Sequence, residues 1–368
     1  MRTKILHLTV LTDIGGAENQ LLSLLSGIDR GKYEHFVASF HGGGKLVHRL
    51  SQAGIAFFDL KADQVLMLPF RLRKIVRENQ ITIIHAYGLK AQLLCALSFF
   101  GSKSVKVLAA IHDVYSFDSR FKLFLMRLFK KKMQHSVFVS KSIAALASTK
   151  LKIPPEKSSV IVNAVAVDVL KNGIERTALR KSLDVNSDDL LILTVANLKP
   201  VKGHQHVLRA IPLLGDLARK VKFCFVGLDF LNGALQRQAR EMGVSEKIIF
   251  AGFREDIPQF LNAADIFLLP SLNEGLPLSL LEAATYGLPI IATDVGGIPE
   301  IITDRVMGLL IPPQSPQAIA AAIRMLVLDQ PLRGELGRNA AGFVKKEFDL
   351  NRMVQQYEKV YKTLAAEN

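Results

Sequence analysis

Short runs rich in β-branched and aromatic residues recur along this chain. Each is followed by a glycine or polar turn and then by apolar residues at helical spacing, and this alternation most limits the folds open to the chain. In the first half the runs fall at 4–10, 35–40, 81–86, 105–111, 136–140 and 158–163. After a polar stretch at 171–189 the rhythm restarts at 190–196, 223–227, 248–252, 266–270, 289–294 and 309–312. Such alternation indicates parallel βαβ units, so the expected class is α/β, with two doubly wound parallel sheets joined by a linker. Length agrees, because 368 residues exceed the roughly 250–300 over which one hydrophobic core keeps growing. The domains are placed at 1–169 and 170–346.

In open parallel sheets, ligands bind outside the carboxyl ends of the strands, so the segments after each strand are searched first. The first strand empties into Thr12, Asp13, Ile14, Gly15, Gly16, Ala17 and Glu18. Paired glycines there let backbone amides approach a phosphate, with a helix N-terminus adding partial positive charge. The spacing is not that of the dinucleotide fingerprint, and a plain tight turn fits it equally. After the first strand of the second half come Asn197, Leu198, Lys199, Pro200, Val201, Lys202 and Gly203. Lys199 and Lys202 can offer ammonium groups to a diphosphate, although loop lysines are more often solvated surface charges.

The most informative stretch runs from Pro270 through Glu274, Gly275, Leu276 and Pro277 to Glu282. Pro277 suits a first helical turn, which leaves Glu274 in the preceding loop and Glu282 on the helix. Gly275 and Leu276 then present amides at a helix N-terminus, a ready anion site. A helix-dipole role for Glu274 and a solvated position for Glu282 fit these two residues as well.

Composition narrows the classes further. Hydrophobic residues at 49% and charged residues at 22% exclude the low-hydrophobicity regime of disorder. Cys95 and Cys224 each sit in an apolar run without metal-ligand spacing, as core thiols of a reducing compartment would. No apolar segment reaches the roughly 18–20 residues that span a bilayer, and the N-terminus lacks a signal-peptide cleavage pattern, so a cytoplasmic location is expected. The formal charge of +14 points to an anionic partner: nucleic acid, an anionic membrane or a phosphorylated substrate.

Taken together the motifs resemble the large retaining glycosyltransferase family 4, the glycosyl transferases of group 1, whose GT-B fold sets two Rossmann-like domains across a cleft. The resemblance covers nearly the whole length. It is carried in order by Gly15-Gly16-Ala17-Glu18, His112-Asp113, Asn163, Lys202-Gly203, Gly252, Glu274 through Glu282, and Gly296-Gly297-Ile298-Pro299-Glu300. It implies that Lys202 neutralises a donor diphosphate held from the other side by the amides around Gly275, Leu276 and Pro277. Glu282 would bind the ribose hydroxyls and Glu274 the transferred hexose. Gly15 and Gly16 would close over the phosphates, Gly252 and Arg254 would lie near the base, and His112 near the reacting centre. Asn197 stands where many members have a phosphate-binding arginine, and Ala164-Val165-Ala166 follows Asn163 in place of Gly-Val-Asp. By the same resemblance the last helix, within 347–368, crosses back from the donor domain to the N-terminal acceptor domain.

The implied reaction moves a hexose from a UDP- or GDP-sugar to a hydroxyl of a glycan or lipid-linked acceptor, with retention. No cofactor is expected beyond the nucleotide sugar as co-substrate, and no metal, because the loop holding Glu274 has no pair of acidic residues to chelate magnesium. Catalysis would rest on His112, Lys202 and Glu274. The segment 120–132 combines Phe121, Phe124, Leu125 and Leu128 with Arg120, Arg127 and Lys131. That pattern fits a helix lying on an anionic membrane or an ordinary packed helix with a basic face, and cell-envelope members often work at the inner membrane surface. No nucleic-acid-binding motif is present. Two other readings stay open: a non-hydrolysing sugar-nucleotide epimerase, which needs no acceptor, and a non-catalytic nucleotide-sugar-binding homologue.

Overall fold

A computed structural model describes residues 2–10, 15–99, 101, 105–112, 119–165 and 176–366. Thr12, Asp13, Ile14, Asp113 and Ala166 of the motifs above lie outside the described residues. The chain forms two compact units, Met1–Ala164 with Leu350–Asn368, and Val165–Asp349.

In unit 1 the parallel strands are β1 (Thr3–Thr9), β2 (Tyr33–Ser39), β3 (Ala56–Asp59), β4 (Ile83–Tyr87), β5 (Lys106–Ile111), β6 (His135–Phe138) and β7 (Ser158–Val160). Their order is β3-β2-β1-β4-β5-β6-β7. The helices are α1 (Gly16–Gly27), α2 (Gly44–Gln52), α3 (Leu68–Glu78), α4 (Gly88–Ser98), α5 (Arg120–Phe129) and α6 (Lys141–Leu151). The central strands β1, β4 and β5 are buried along nearly their whole length because helices cover both faces of a parallel sheet. The edge strand β3 is not anticipated by the sequence. Its four residues, Ala56-Phe57-Phe58-Asp59, are half-exposed and too few to show a period.

In unit 2 the strands are β8 (Leu190–Val195), β9 (Val221–Val226), β10 (Ile248–Gly252), β11 (Ile266–Leu269), β12 (Ile290–Thr293) and β13 (Leu309–Ile311), in the order β10-β9-β8-β11-β12-β13. The helices are α7 (Arg176–Ser182), α8 (His204–Ala210), α9 (Ala234–Glu241), α10 (Ile257–Ala263), α11 (Leu278–Thr285), α12 (Pro316–Leu328) and α13 (Gln330–Glu347). Phe223, Phe225, Ile266 and Leu268 from the strands pack with Ile319 and Ile323 of α12 in one core.

The last helix, α14 (Leu350–Ala366), belongs to unit 1. Met353, Val354, Tyr357, Val360, Tyr361 and Leu364 recur at helical spacing and are buried together with Ile5, Leu24, Ile28 and Ile83. Each such side chain contributes about 1.5–3 kcal/mol by leaving water.

Candidate active site

Strand order reverses between β8 and β11 in unit 2, so the loops leaving those two strands meet at the carboxyl edge of the sheet. One loop carries Asn197, Lys199 and Lys202, and the other Ser271, Glu274 and Gly275. The loops touch through backbone, Leu272 N–H donating to the Val201 carbonyl at 2.7 Å. Gly203 permits this approach. Its φ is +74°, and a Cβ there would fall 1.9 Å from the Pro270 carbonyl oxygen.

Lys202 Nζ donates to Glu274 Oε1 at 2.7 Å, and Ser271 Oγ donates to the same oxygen at 2.6 Å. Glu274 is only 8% exposed, so its charge is held by a cation and a hydroxyl where water has little access. Thr293 Oγ1 donates in turn to the Ser271 carbonyl at 2.5 Å. Beneath the loop, a Cβ at Gly296 would lie 1.8 Å from the Glu274 carbonyl oxygen, and one at Gly297 would lie 2.0 Å from that of Gly275. The two glycines therefore let one backbone rest directly on another under the carboxylate.

Helix α11 begins at Leu278, one residue later than the sequence suggests, with Pro277 as an extended N-cap at φ −73° and ψ 119°. Proline has no amide hydrogen, which corrects the expectation of a donor at 277. The backbone donors before the helix are Gly275 and Leu276, and no side chain caps the first turn. Glu282, one turn into α11, is partly buried, and its carboxyl makes no hydrogen bond or ion pair with described residues. Burial pushes this carboxyl up to about 7.

The other donor-side residues are engaged differently. Asn197 Oδ1 accepts from Leu228 N–H at 3.0 Å, and Lys199 Nζ stands 4.2 Å from the centre of the Phe230 ring. Arg254 donates to both carboxylate oxygens of Asp256 at 2.9 and 2.8 Å. The Gly252 carbonyl, at the end of β10, accepts from Gly227 N–H at 2.8 Å. Lys202 is therefore the lysine that this loop directs onto a carboxylate.

Gly15, Gly16 and His112 belong to unit 1. Gly15 N–H donates to Glu18 Oε2 at 3.1 Å, which fixes the start of α1, and Gly16 is exposed at its first position. His112 follows β5 and stacks on Tyr87, with ring centres 5.6 Å apart. Its Nε2 is buried without a hydrogen-bond partner among the described residues, and burial lowers the ring to about 4.

Tyr87 leads into a network the sequence reading missed. Its hydroxyl lies 3.1 Å from both His7 Nδ1 and His85 Nδ1. His7 Nε2 is 3.0 Å from His35 Nδ1, and His85 Nδ1 is 2.8 Å from the Tyr361 hydroxyl on α14. The available signal was a histidine inside each of three strands, His7, His35 and His85. Ser271 was also missed, although it stands three residues before Glu274 in the same loop. Among the described residues no cluster of three or more His, Cys, Asp or Glu is placed to hold a metal ion.

Two Rossmann-like units with parallel sheets of seven and six strands are the architecture of the GT-B glycosyltransferases. A solved Anabaena structure, described as Alr3699/HepE in complex with UDP-glucose, superposes with a TM-score of 0.88 at 24% identity over 98% of this chain and 100% of the other. Residues 175–343 match the glycosyl transferases group 1, and residues 14–169 match Glycosyltransferase Family 4. The chain belongs to this family of glycosyltransferases. An uncharacterized glycosyltransferase of Methanocaldococcus jannaschii is 25% identical over 76% of the chain and 72% of its own length. The Escherichia coli UDP-Gal:alpha-D-GlcNAc-diphosphoundecaprenol alpha-1,3-galactosyltransferase is 23% identical over 94% and 96%.

Proposed function

We propose that the chain transfers a hexose from a nucleoside diphosphate sugar, UDP- or GDP-linked, to a hydroxyl of a glycan or lipid-linked acceptor in cell-envelope polysaccharide or glycolipid synthesis. Transfer occurs with retention and without a metal ion. The observation that carries this reading is the Lys202–Glu274 pair at the strand-order reversal, beside the uncapped N-terminus of α11. As the anomeric C–O bond breaks, its electron pair leaves on the diphosphate. The Lys202 ammonium and the Gly275 and Leu276 amides are the donors preorganised where that charge grows. Glu274 balances Lys202 and offers its second oxygen to a sugar hydroxyl. Glu282, held away from protein donors, accepts from the ribose hydroxyls.

His112 contacts the sugar near the reacting carbon as a neutral imidazole, since burial disfavours its charged form. Retention follows from attack by the acceptor hydroxyl on the face the diphosphate leaves, its proton passing to the departing phosphate oxygen, and no protein carboxylate is assigned as nucleophile. The names of the Escherichia coli relative, with a UDP-Gal donor and a diphosphoundecaprenol-linked acceptor, and of the Anabaena complex with UDP-glucose support a UDP-sugar and a lipid-linked acceptor.

The test incubates the protein with UDP-, GDP- and ADP-sugars and an extract of lipid-linked acceptors and follows nucleoside diphosphate release. Acceptor-dependent release that Lys202→Ala and Glu282→Ala both abolish is expected. Conversion of the donor without acceptor would instead identify an epimerase. Turnover should survive a chelator, and complete loss restored by magnesium or manganese would refute the metal-independent step.

A further inference from the structure

One face of the sheet in unit 1 carries a row of polar rings. Side chains alternate between the two faces of a strand. The register sets His7 on β1 opposite His85 on β4, with Tyr87 two residues further along β4. His35 on β2 lies diagonal to His7, because its own partner on β1 is Ile5. On the other side Tyr87 is opposite Ala110 of β5, and His112 stands two residues past Ala110. These rings share the face that α14 covers and run from β2 to the carboxyl end of β5.

As core filling, such a row is unfavourable. A buried imidazole loses its water and needs a partner in exchange, yet Nε2 of His35 and of His85 finds none among the described residues. Apolar side chains of similar shape would fill the same space without that cost. What the row supplies lies at its end, where His112 also makes no hydrogen bond through Nε2 to a described residue. Its imidazole rests instead against the face of Tyr87, with ring centres 5.6 Å apart and planes 29° apart. Tyr87 is itself held from two sides. Its hydroxyl is 3.1 Å from Nδ1 of both His7 and His85, and its ring stacks on that of His85 at 4.3 Å. His85 in turn meets the Tyr361 hydroxyl of α14 at 2.8 Å, and His7 meets His35 at 3.0 Å.

We infer that Tyr87 is a positioning residue for hexose transfer. Stacked on His112 and clamped at its hydroxyl by His7 and His85, it fixes the plane of the imidazole that meets the sugar, and Tyr361 anchors the far end of the brace. The inference rests on the proposed contact of His112 with the sugar. The expected effect is large for a residue that never touches substrate, because a displacement of about 1 Å at a reacting centre can slow a reaction by about 100-fold. The hydroxyl of Tyr87 is what ties this orientation to the core. A phenylalanine there would keep the stacked face and lose only the clamp, whereas an aliphatic side chain would lose both.

A double-mutant cycle separates positioning from a purely structural role. Nucleoside diphosphate release from the UDP-, GDP- and ADP-sugars with the lipid-linked acceptor extract is followed for Tyr87→Leu, His112→Ala and the two combined. Tyr87→Leu should lower kcat by about tenfold while donor KM and UDP affinity stay within about twofold. In the His112→Ala protein the same change should have no further effect, since the group it positions is gone. Tyr87→Phe should recover most of the rate. Tyr361→Phe removes one buried hydroxyl, so it keeps the test valid if Tyr87→Leu folds poorly, and should lower kcat by about threefold only where His112 is present. Losses that multiply in the combined variants, or a raised KM with kcat unchanged, would overturn the brace and leave the role of His112 standing. A His112→Ala protein as fast as the parent would overturn that role and the brace with it.

Discussion

Lys202 and Glu274 are separated by 72 residues and joined at 2.7 Å, a pairing made by two loops that leave adjacent strands of unit 2. The ion pair is one-sided in its burial, because Glu274 is 8% exposed and Lys202 26%. The carboxylate therefore depends on the lysine more than the lysine depends on it.

Removing the lysine should expose that dependence. Lys202→Met leaves Glu274 with the Ser271 hydroxyl as its remaining partner and should lower stability by about 2 kcal/mol. Urea denaturation measures this. Glu274→Gln keeps a hydrogen-bonding group beside Ser271 and should fold nearly as well, while hexose transfer falls by about 100-fold if the charge acts in the transition state.

The glycines of unit 2 should separate by what lies against them rather than by backbone angle. Gly296→Ala combines φ +56° with a Cβ 1.8 Å from the Glu274 carbonyl oxygen, so the loop must move. A loss of about 3 kcal/mol or more is expected, with loss of nucleotide binding. Gly252→Ala has φ +67° but no atom within 4 Å of the new Cβ. It should cost about 1 kcal/mol from backbone strain alone. Equal losses in thermal unfolding would show that the packing beneath Glu274 is unimportant.

Glu282 gives a pH dependence with a defined sign. Its carboxyl titrates at about 7 in the folded chain against 4.5 when solvated, so the folded state favours the protonated form. Stability should fall as pH rises from 4.5 through 7, with the full penalty of about 3 kcal/mol present above that range. Glu282→Gln should therefore be the more stable protein at about pH 8 and match the parent near pH 4. Nucleotide affinity of the parent should rise across neutrality as the carboxylate forms, while that of the variant stays flat. Isothermal titration with UDP and GDP at several pH values reads both.

The histidine network of unit 1 should oppose acidification. Burial lowers His35 and His112 from 6.5 to about 4 and lowers His7 and His85 well below 6.5. Unfolded, each takes up a proton below about 6.5, so stability is complete above that pH and drains away as pH falls toward 4. Each group steepens the loss by up to about 1.4 kcal/mol per pH unit. His35→Gln should flatten the dependence of the melting temperature between about pH 6 and 4, and an unchanged slope would mean that His35 is not neutral in the folded chain.

Much of this was legible in the residues. Two series of apolar runs gave two parallel sheets, and the order of motifs gave the family and drew attention to Lys202, Glu274 and Glu282. Strand β3 escaped because four half-exposed residues carry no periodic signal. The shift of the α11 start to Leu278 escaped because proline suits both a first turn and the position just before it.

The sequence by itself determined which local structures form, since strand and helix periodicity, turn glycines and charge act between neighbours in the chain. Only the tertiary structure decided that Glu274 is neutralised by Lys202 rather than by Lys199, and that Ser271 shares its oxygen. It also decided that Gly296 and Gly297 underlie that loop, and that three strand histidines meet two tyrosines in one core. Those outcomes depend on strand order and on which backbones can approach within contact distance, and neither quantity is encoded by any residue together with its neighbours.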